Sequence, residues 1–149
     1  LLKQIMDVVG AVTLLCPVVL FGEQFGAFEP RRKAYFYHFT YRSKKNNVWP
    51  DWFGVGHSSE LFYVFGKPLK YREQFDDIDR ALSNDVIRIW TTFAKTGVPP
   101  LPSNVIGKQW PLYNQSHPNH VIINPLKASI KHDAPKDGIC NKWRLSVEL

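Results

Sequence analysis

A chain of 149 residues with a formal charge of +6 is long enough for one domain with a real core, and its apolar and charged fractions are those of an ordinary soluble globular protein. The basic residues stand in scattered short clusters, Arg31-Arg32-Lys33 and Lys44-Lys45. They form no single stripe and accompany no nucleic-acid-binding motif, so they read as a solvated basic face and nucleic acid is not expected as a partner.

In chain order, Leu2 to Val9 reads as a short helix. Val12 to Phe25 reads as a second, with Leu14, Val18, Phe21 and Phe25 recurring at helical spacing. Pro17 falls in the first turns of that helix, where proline is tolerated. The apolar stretch Val8 to Phe21, interrupted by Pro17, is too short to cross a bilayer and is expected to be a buried helix. The chain starts at Leu1 without a signal peptide, which does not exclude secretion if its beginning lies elsewhere.

Ala34 to Tyr41, "AYFYHFTY", is the clearest strand. It is apolar on both faces, so it belongs inside an α/β sheet. Val121 to Ile123 is the best further strand. A central strand without neighbours leaves its backbone unpaired. Most of the sheet is therefore expected outside this sequence, with residues 1–149 forming the C-terminal part of a larger α/β domain. Asp76 to Lys95 is the most secure helix. Ile78, Leu82, Val86, Ile89 and Phe93 mark its apolar face, with Ala81, Trp90 and Ala94 widening it. Asp76, Asp77 and Asp79 suit its positive end, and Gly97 with Pro99-Pro100 stops it. Pro99 to His120 is loop-like, anchored by Trp110-Pro111-Leu112-Tyr113, and a last helix is expected around Ile139 to Val147.

Cys16 and Cys140 fit no zinc spacing. They are either two unrelated buried thiols or one disulfide closing a long loop, worth roughly 4–5 kcal/mol on the chain-entropy account. Asn114-Gln115-Ser116 is a glycosylation sequon. The cysteine pair and the sequon together lean toward an oxidising compartment. Among the five histidines, His38 reads as a core or near-core strand residue, and His117, His120 and His132 as exposed loop residues. No histidine pair has metal-ligand spacing, so neither a metal nor another cofactor is expected.

His57 differs in context. It lies in the loop beyond the buried strand, between Gly56 and two serines, and reactive groups of α/β sheets gather in loops beyond the carboxyl ends of strands. Its imidazole can take and return a proton near neutrality. No G-x-S-x-G nucleophile elbow occurs anywhere in the chain. In the hydrolase order Ser, then Asp or Glu, then His, the histidine comes last. A C-terminal portion would hold the histidine and lack both partners.

The blocks "VWPDWFGVGHSSELFYVFGKPL" (Val48 to Leu69) and "IWTTFAKTGVP" (Ile89 to Pro99), with "WPLY" (Trp110 to Tyr113) and Cys16-Pro17, resemble the type-B carboxylesterases of the α/β-hydrolases, nearest to the cholinesterases. Their order and spacing fit almost the whole chain. The resemblance implies a carboxylic ester hydrolase in which His57 is the triad histidine and a small-molecule ester is the substrate. It implies that Glu60 supports the site from behind, that Trp49 and Trp52 form a Trp-Pro-acid-Trp element whose first tryptophan lies near a choline pocket, and that Cys16 and Cys140 form a disulfide. It also implies a secreted or extracellular protein, glycosylated and anchored to a membrane, if at all, through a part outside this chain, and a homodimer contact through C-terminal helices, to which Asp76 to Lys95 would contribute. Ser58 and Ser59 depart from the glycine and aromatic residue usual after the histidine in cholinesterases, and Ser59 cannot offer a ring to a quaternary ammonium. A more general carboxylesterase stays open on that ground. So does a non-catalytic adhesion or scaffold protein of the neuroligin type.

Overall fold

The computed structural model describes residues 1–28, 32–106, 109–133 and 139–143. Three short strands, β1 (Tyr37–Phe39), β2 (His120–Ile123) and β3 (Ser129–Lys131), form one sheet in that order. The chain divides into two compact units: Leu1–His38 with Pro111–His120 and Ile130–Leu149, and Phe39–Trp110 with Val121–Ser129.

The first unit opens on α1 (Leu2–Gly10), passes through one π-helical turn (Ala11–Leu15) and continues as α2 (Cys16–Phe28). The two helices expected here are thus one continuous helix. Pro17 has no amide proton to give, and the wider π turn just before it lets the chain stay helical through the proline. A second correction concerns burial. The stretch expected inside is largely outside: over Leu2–Ala27 only 17% of the most apolar window is buried, and Val18 and Phe21 are exposed. By length and composition this helix could cross a membrane, contrary to the expectation from Val8 to Phe21 alone. It is nevertheless tied to the protein at two places. Cys16 is joined to Cys140 by a disulfide, both sulfurs buried beside Ala11, Ile139 and Trp143. Less than one turn on, Val19 packs with Phe36 and Tyr113, and the Tyr113 hydroxyl donates to the buried Glu23 carboxylate at 3.5 Å.

Of the predicted final helix, residues 139–143 are helical and carry Cys140 and Trp143; the rest lies outside the described residues. β2 matches its expectation. β1 is shorter than predicted, three residues of extended chain within a longer aromatic run, and His38 in it is half-buried. Among the described residues β1 is flanked by a single strand, β2, and so stands at the end of the strand order where the sequence suggests a central place. β3 carried no usable sequence signal, being three residues of mixed polarity.

The second unit is built on α5 (Asp77–Thr96), with α3 (Leu61–Val64) and α4 (Lys67–Lys70) lying against it. Asp76 caps α5 through a reciprocal capping box with Asp79, and Gly97 ends it in the left-handed conformation at φ 72°. The buried stripe is narrower than predicted: Leu82, Val86 and Ile89 are inside, whereas Ile78, Ala81, Phe93 and Ala94 are exposed. Two polar residues, Asp79 and Ser83, complete it. Beyond α5 the chain runs as a loop. Asp85 holds it by accepting from the Ser103 amide at 2.8 Å and the Ser103 hydroxyl at 2.6 Å, while Arg88 donates to the Leu101 carbonyl at 2.7 Å. Trp110 and Tyr113 are buried, as their anchoring role requires.

Candidate active site

His57 is delivered by the segment that leaves Tyr41 and ends in α3, all of it in the second unit. Pro50 starts a 3₁₀ turn over Asp51–Phe53, and the Phe53 amide closes it on the Pro50 carbonyl at 3.0 Å. Gly54, at φ 76°, reverses the chain where a side chain would be strained. Trp49 stacks on Phe53 with ring centroids 4.5 Å apart, and Trp52 meets the same ring edge-on. Gly56 lies under the Trp49 indole: a Cβ there would fall 2.6 Å from the indole nitrogen. Only glycine fits beneath that ring.

His57 follows at once, exposed, at the head of a turn that runs into α3. The turn closes through the Ser59 amide and hydroxyl, which donate to the Gly56 carbonyl at 3.2 and 2.7 Å. Ser58 adopts φ 65°, unusual for a residue with a side chain. Glu60 is half-buried at the start of α3, and among the described residues no side-chain hydrogen bond joins it to His57. Trp49 is 46% exposed, its indole lying over Gly56, the residue before the histidine.

Two devices hold this segment, and neither was evident in the sequence. The first is Arg42, whose guanidinium donates to the Trp49 carbonyl and pairs with Asp51 at 3.0 Å. The second is the fully buried Asp79 on α5. Its carboxylate accepts from Ser43 Oγ at 2.8 Å, from the Tyr63 hydroxyl at 2.8 Å and from the Asp76 amide at 3.1 Å. Ser43 in turn accepts from the amides of Lys45 and Asn46, and Ser83 Oγ donates to the Tyr63 carbonyl at 2.9 Å. Ser43 stands at one end of the His57 segment and Tyr63 at the other, so one buried carboxylate fixes both ends to the same helix. Burial and the negative charge of Asp79 raise the Tyr63 and Tyr41 pKa values well above the usual tyrosine range. Tyr63 therefore stays protonated and remains a donor. The sequence offered Asp79 only as one of three aspartates near a helix start; the spacing to Asp76 as a capping partner was the signal that could have singled it out.

The other candidate positions belong to the first unit. Cys16 and Cys140 are disulfide-bonded, which resolves the alternative of two free thiols. Asn114 is exposed. His117 and His132 are exposed as expected, but His120 is buried, with Nδ1 inside and without a hydrogen-bond partner among the described residues. It sits in β2, not in a polar loop, because the strand begins one residue earlier than its apolar run. Burial lowers its pKa. The backbone and carboxylate of Asp133 and the backbone of Pro118 oppose that shift, and Lys131 reinforces it. A cleft of about 450 Å³ in the second unit is lined by Leu82, Asp85, Arg88, Ser103, Asn124 and neighbouring residues, and none of the 49–60 segment borders it. Among the described residues no three His, Cys, Asp or Glu side chains converge to hold a metal ion.

A hydrolytic histidine needs a solvent-facing imidazole on a rigid turn, a nucleophile and an orienting acid. The segment supplies the first of these. Comparison with known proteins supplies the lineage. The carboxylesterase family matches residues 1–143. The cholinesterase of Mus musculus is 34% identical over 143 residues, 93% of this chain and 22% of the relative. The acetylcholinesterase of Bungarus fasciatus is 37% identical over 118 residues, 79% of this chain and 19% of the relative. That of Leptinotarsa decemlineata is 36% identical over 141 residues, 95% of this chain and 21% of the relative. The chain spans about a fifth of the length of these curated relatives, yet almost all of it takes part in the match. The sequence motifs, the buried disulfide and the family match agree, and the chain belongs to the carboxylesterase family.

Proposed function

We propose that these 149 residues are the C-terminal portion of a serine carboxylic ester hydrolase and contribute its triad histidine, His57, while the nucleophilic serine and the triad acid lie in polypeptide outside the chain. The observation that carries the reading is the exposed imidazole of His57 at the head of a turn fixed at both ends by Asp79, within a chain of this family. The exposed apolar side of the N-terminal helix and the single strand beside β1 also support it, since both are surfaces that further polypeptide of the same domain would cover.

In this reading His57 removes the proton from the serine as it attacks the ester carbonyl. It returns that proton to the departing alcohol, then activates water to release the acid. The acid outside this chain orients the ring and stabilises the imidazolium; backbone amides of the missing part hold the oxyanion. Glu60, half-buried three residues on, supports the turn from the side away from solvent. Trp49 forms part of the wall around the imidazole. Ser59 spends its hydroxyl on the Gly56 carbonyl and presents no aromatic face, which favours a broad small-molecule ester substrate over a choline ester. The cholinesterase relatives and the disulfide support a secreted protein. A homodimer through the C-terminal helices is the arrangement the resemblance suggests.

The test is made in the full-length protein. His57→Ala is expected to lower kcat for a p-nitrophenyl ester by roughly 10⁴–10⁶, in line with the loss of a triad member, with an unchanged thermal midpoint and with organophosphate labelling of the serine slowed to a comparable degree. Turnover close to that of the parent would end the assignment.

A further inference from the structure

The exposed imidazole of His57 is placed by its backbone: among the described residues no hydrogen bond reaches the ring. Whatever bears on that backbone therefore decides where the ring stands. Two groups bear on the residue just before it. The Ser59 amide and hydroxyl hold the Gly56 carbonyl. The Trp49 indole lies so close that a Cβ at position 56 would come 2.6 Å from the ring nitrogen and 2.8 Å from Cδ1. The indole is itself exposed and stacks on Phe53 of the same loop, so it takes its place from its own backbone rather than from a core.

That backbone is tied to fixed ground through Arg42. The Trp49 amide donates to Asn47 Oδ1 at 3.3 Å, a bond within the loop. The Trp49 carbonyl accepts from the Arg42 guanidinium. Arg42 stands between two anchored residues. Tyr41 is buried, its ring edge-on to that of Tyr63 with centroids 5.9 Å apart, and Ser43 is bonded to Asp79. The second terminal nitrogen, Nη1, pairs with Asp51 at 3.0 Å, but that carboxylate is fully exposed, and an exposed ion pair contributes little. The charge-assisted bond to the Trp49 carbonyl is the stronger tie. Nε is buried without a partner among the described residues, so the terminal nitrogens carry the bonding of this side chain. A lysine would offer one point of charge where the guanidinium offers a planar fork.

We propose that Arg42 is a positioning residue for the ester hydrolysis, a role that rests on His57 being its proton carrier: by holding the Trp49 carbonyl, Arg42 keeps the indole over Gly56 and so fixes where the imidazole stands. Arg42 need not touch substrate or the reacting atoms to do this. Without it the indole is free to leave Gly56, and the turn ahead of the histidine loosens. A proton carrier off its line slows the reaction while substrate binding is kept.

The experiment uses the full-length protein, a p-nitrophenyl ester and a heavy-carbon label on the histidine rings, read by nuclear magnetic resonance. The His57 signal is the one lost in His57→Ala. Arg42→Ala is expected to lower kcat by roughly 10- to 100-fold, with KM held within about twofold, and to displace the His57 signal while the other histidine signals stay in place. Arg42→Lys, which keeps the stem and the charge but not the fork, is the milder variant and should fall between Arg42→Ala and the parent. Asp51→Asn removes the exposed ion pair alone and should leave kcat unchanged. Made on top of Trp49→Ala, Arg42→Ala should lose most of its effect, because two steps of one path are not additive. The proposal is overturned by a kcat within about twofold of the parent in both Arg42 variants, by a loss confined to KM, by an unmoved His57 signal, or by a kcat loss that persists in full in the Trp49→Ala background. Turnover surviving in His57→Ala would end the esterase reading instead, and the His57 signal in Arg42→Ala would still report whether Arg42 places the ring, so the two fail separately.

Discussion

The segment from Ser43 to Tyr63 and the helix from Leu2 to Phe28 are held in opposite ways. The first is short on apolar burial but is clamped by polar bonds, with both ends joined to Asp79 and its middle to Arg42. The second is rich in apolar side chains but buries few of them, and its attachments are the disulfide and the packing of Val19 with Phe36 and Tyr113. Polar clamps are directional, so they fix a turn to within a hydrogen bond's tolerance. Apolar burial is not directional and can be completed by whatever surface arrives. The segment that carries the proposed catalytic imidazole uses the first; the helix with an open apolar face uses the second.

The contrast can be broken at several points in the full-length protein. The largest effect on stability is expected from Cys16→Ala with Cys140→Ala, which frees the helix of its covalent tie and should cost about 4 kcal/mol, read as a fall in thermal midpoint with the proposed esterase site still able to form. Next is Asp79→Ala. It strips three donors of a buried carboxylate and leaves the Tyr63 hydroxyl inside without a partner, for a loss of about 3 kcal/mol. If the clamp is what positions His57, kcat should fall as well. A drop in stability with unchanged kcat would separate the clamp from the site. Ser58→Gly should go the other way. It relieves a left-handed backbone position at a residue with a side chain and should stabilise the protein by about 1 kcal/mol, with no loss of activity.

The smallest expected effect lies in the first unit. His120 is buried, and its pKa is lowered in the folded protein, chiefly by that burial. As pH falls through the ordinary histidine value, the unfolded chain binds a proton that the folded chain still refuses. Stability is therefore fully present above that value and is lost progressively as pH falls through the lower folded-state value. His120→Gln, which does not titrate, should flatten the dependence of the thermal midpoint over that acid window and leave it unchanged above neutrality. An equally steep slope in the variant would assign the acid loss to other groups.

What could be read in the sequence was whatever rests on local pattern. α5 announced itself by period, by aspartates at its positive end and by a terminal glycine, and the structure keeps all three, with Asp76 as the cap. The Trp110 to Tyr113 anchor and β2 were legible from runs of apolar residues. What escaped depends on partners distant in sequence. Asp79 looks like any aspartate in a first helical turn until Ser43 and Tyr63 arrive to bury it. His120 looks like a loop residue until the strand begins one position sooner. Leu2 to Val9 and Val12 to Phe25 read as two helices, with Pro17 tolerated near the start of the second, until a π turn over Ala11–Leu15 joined them into one. The apolar face of the N-terminal helix was read as buried because an apolar stripe normally is; within these residues most of it is not.

The glycine beneath the Trp49 indole sets an order on change. Gly56 has no positive φ to excuse it; only the ring above excludes a side chain. A descendant that first replaced the glycine would have to expel the indole and disturb the turn carrying His57. One that first shrank the tryptophan would find position 56 open to alanine. The neighbourhood of the imidazole can thus be remodelled along one mutational path and not along its reverse.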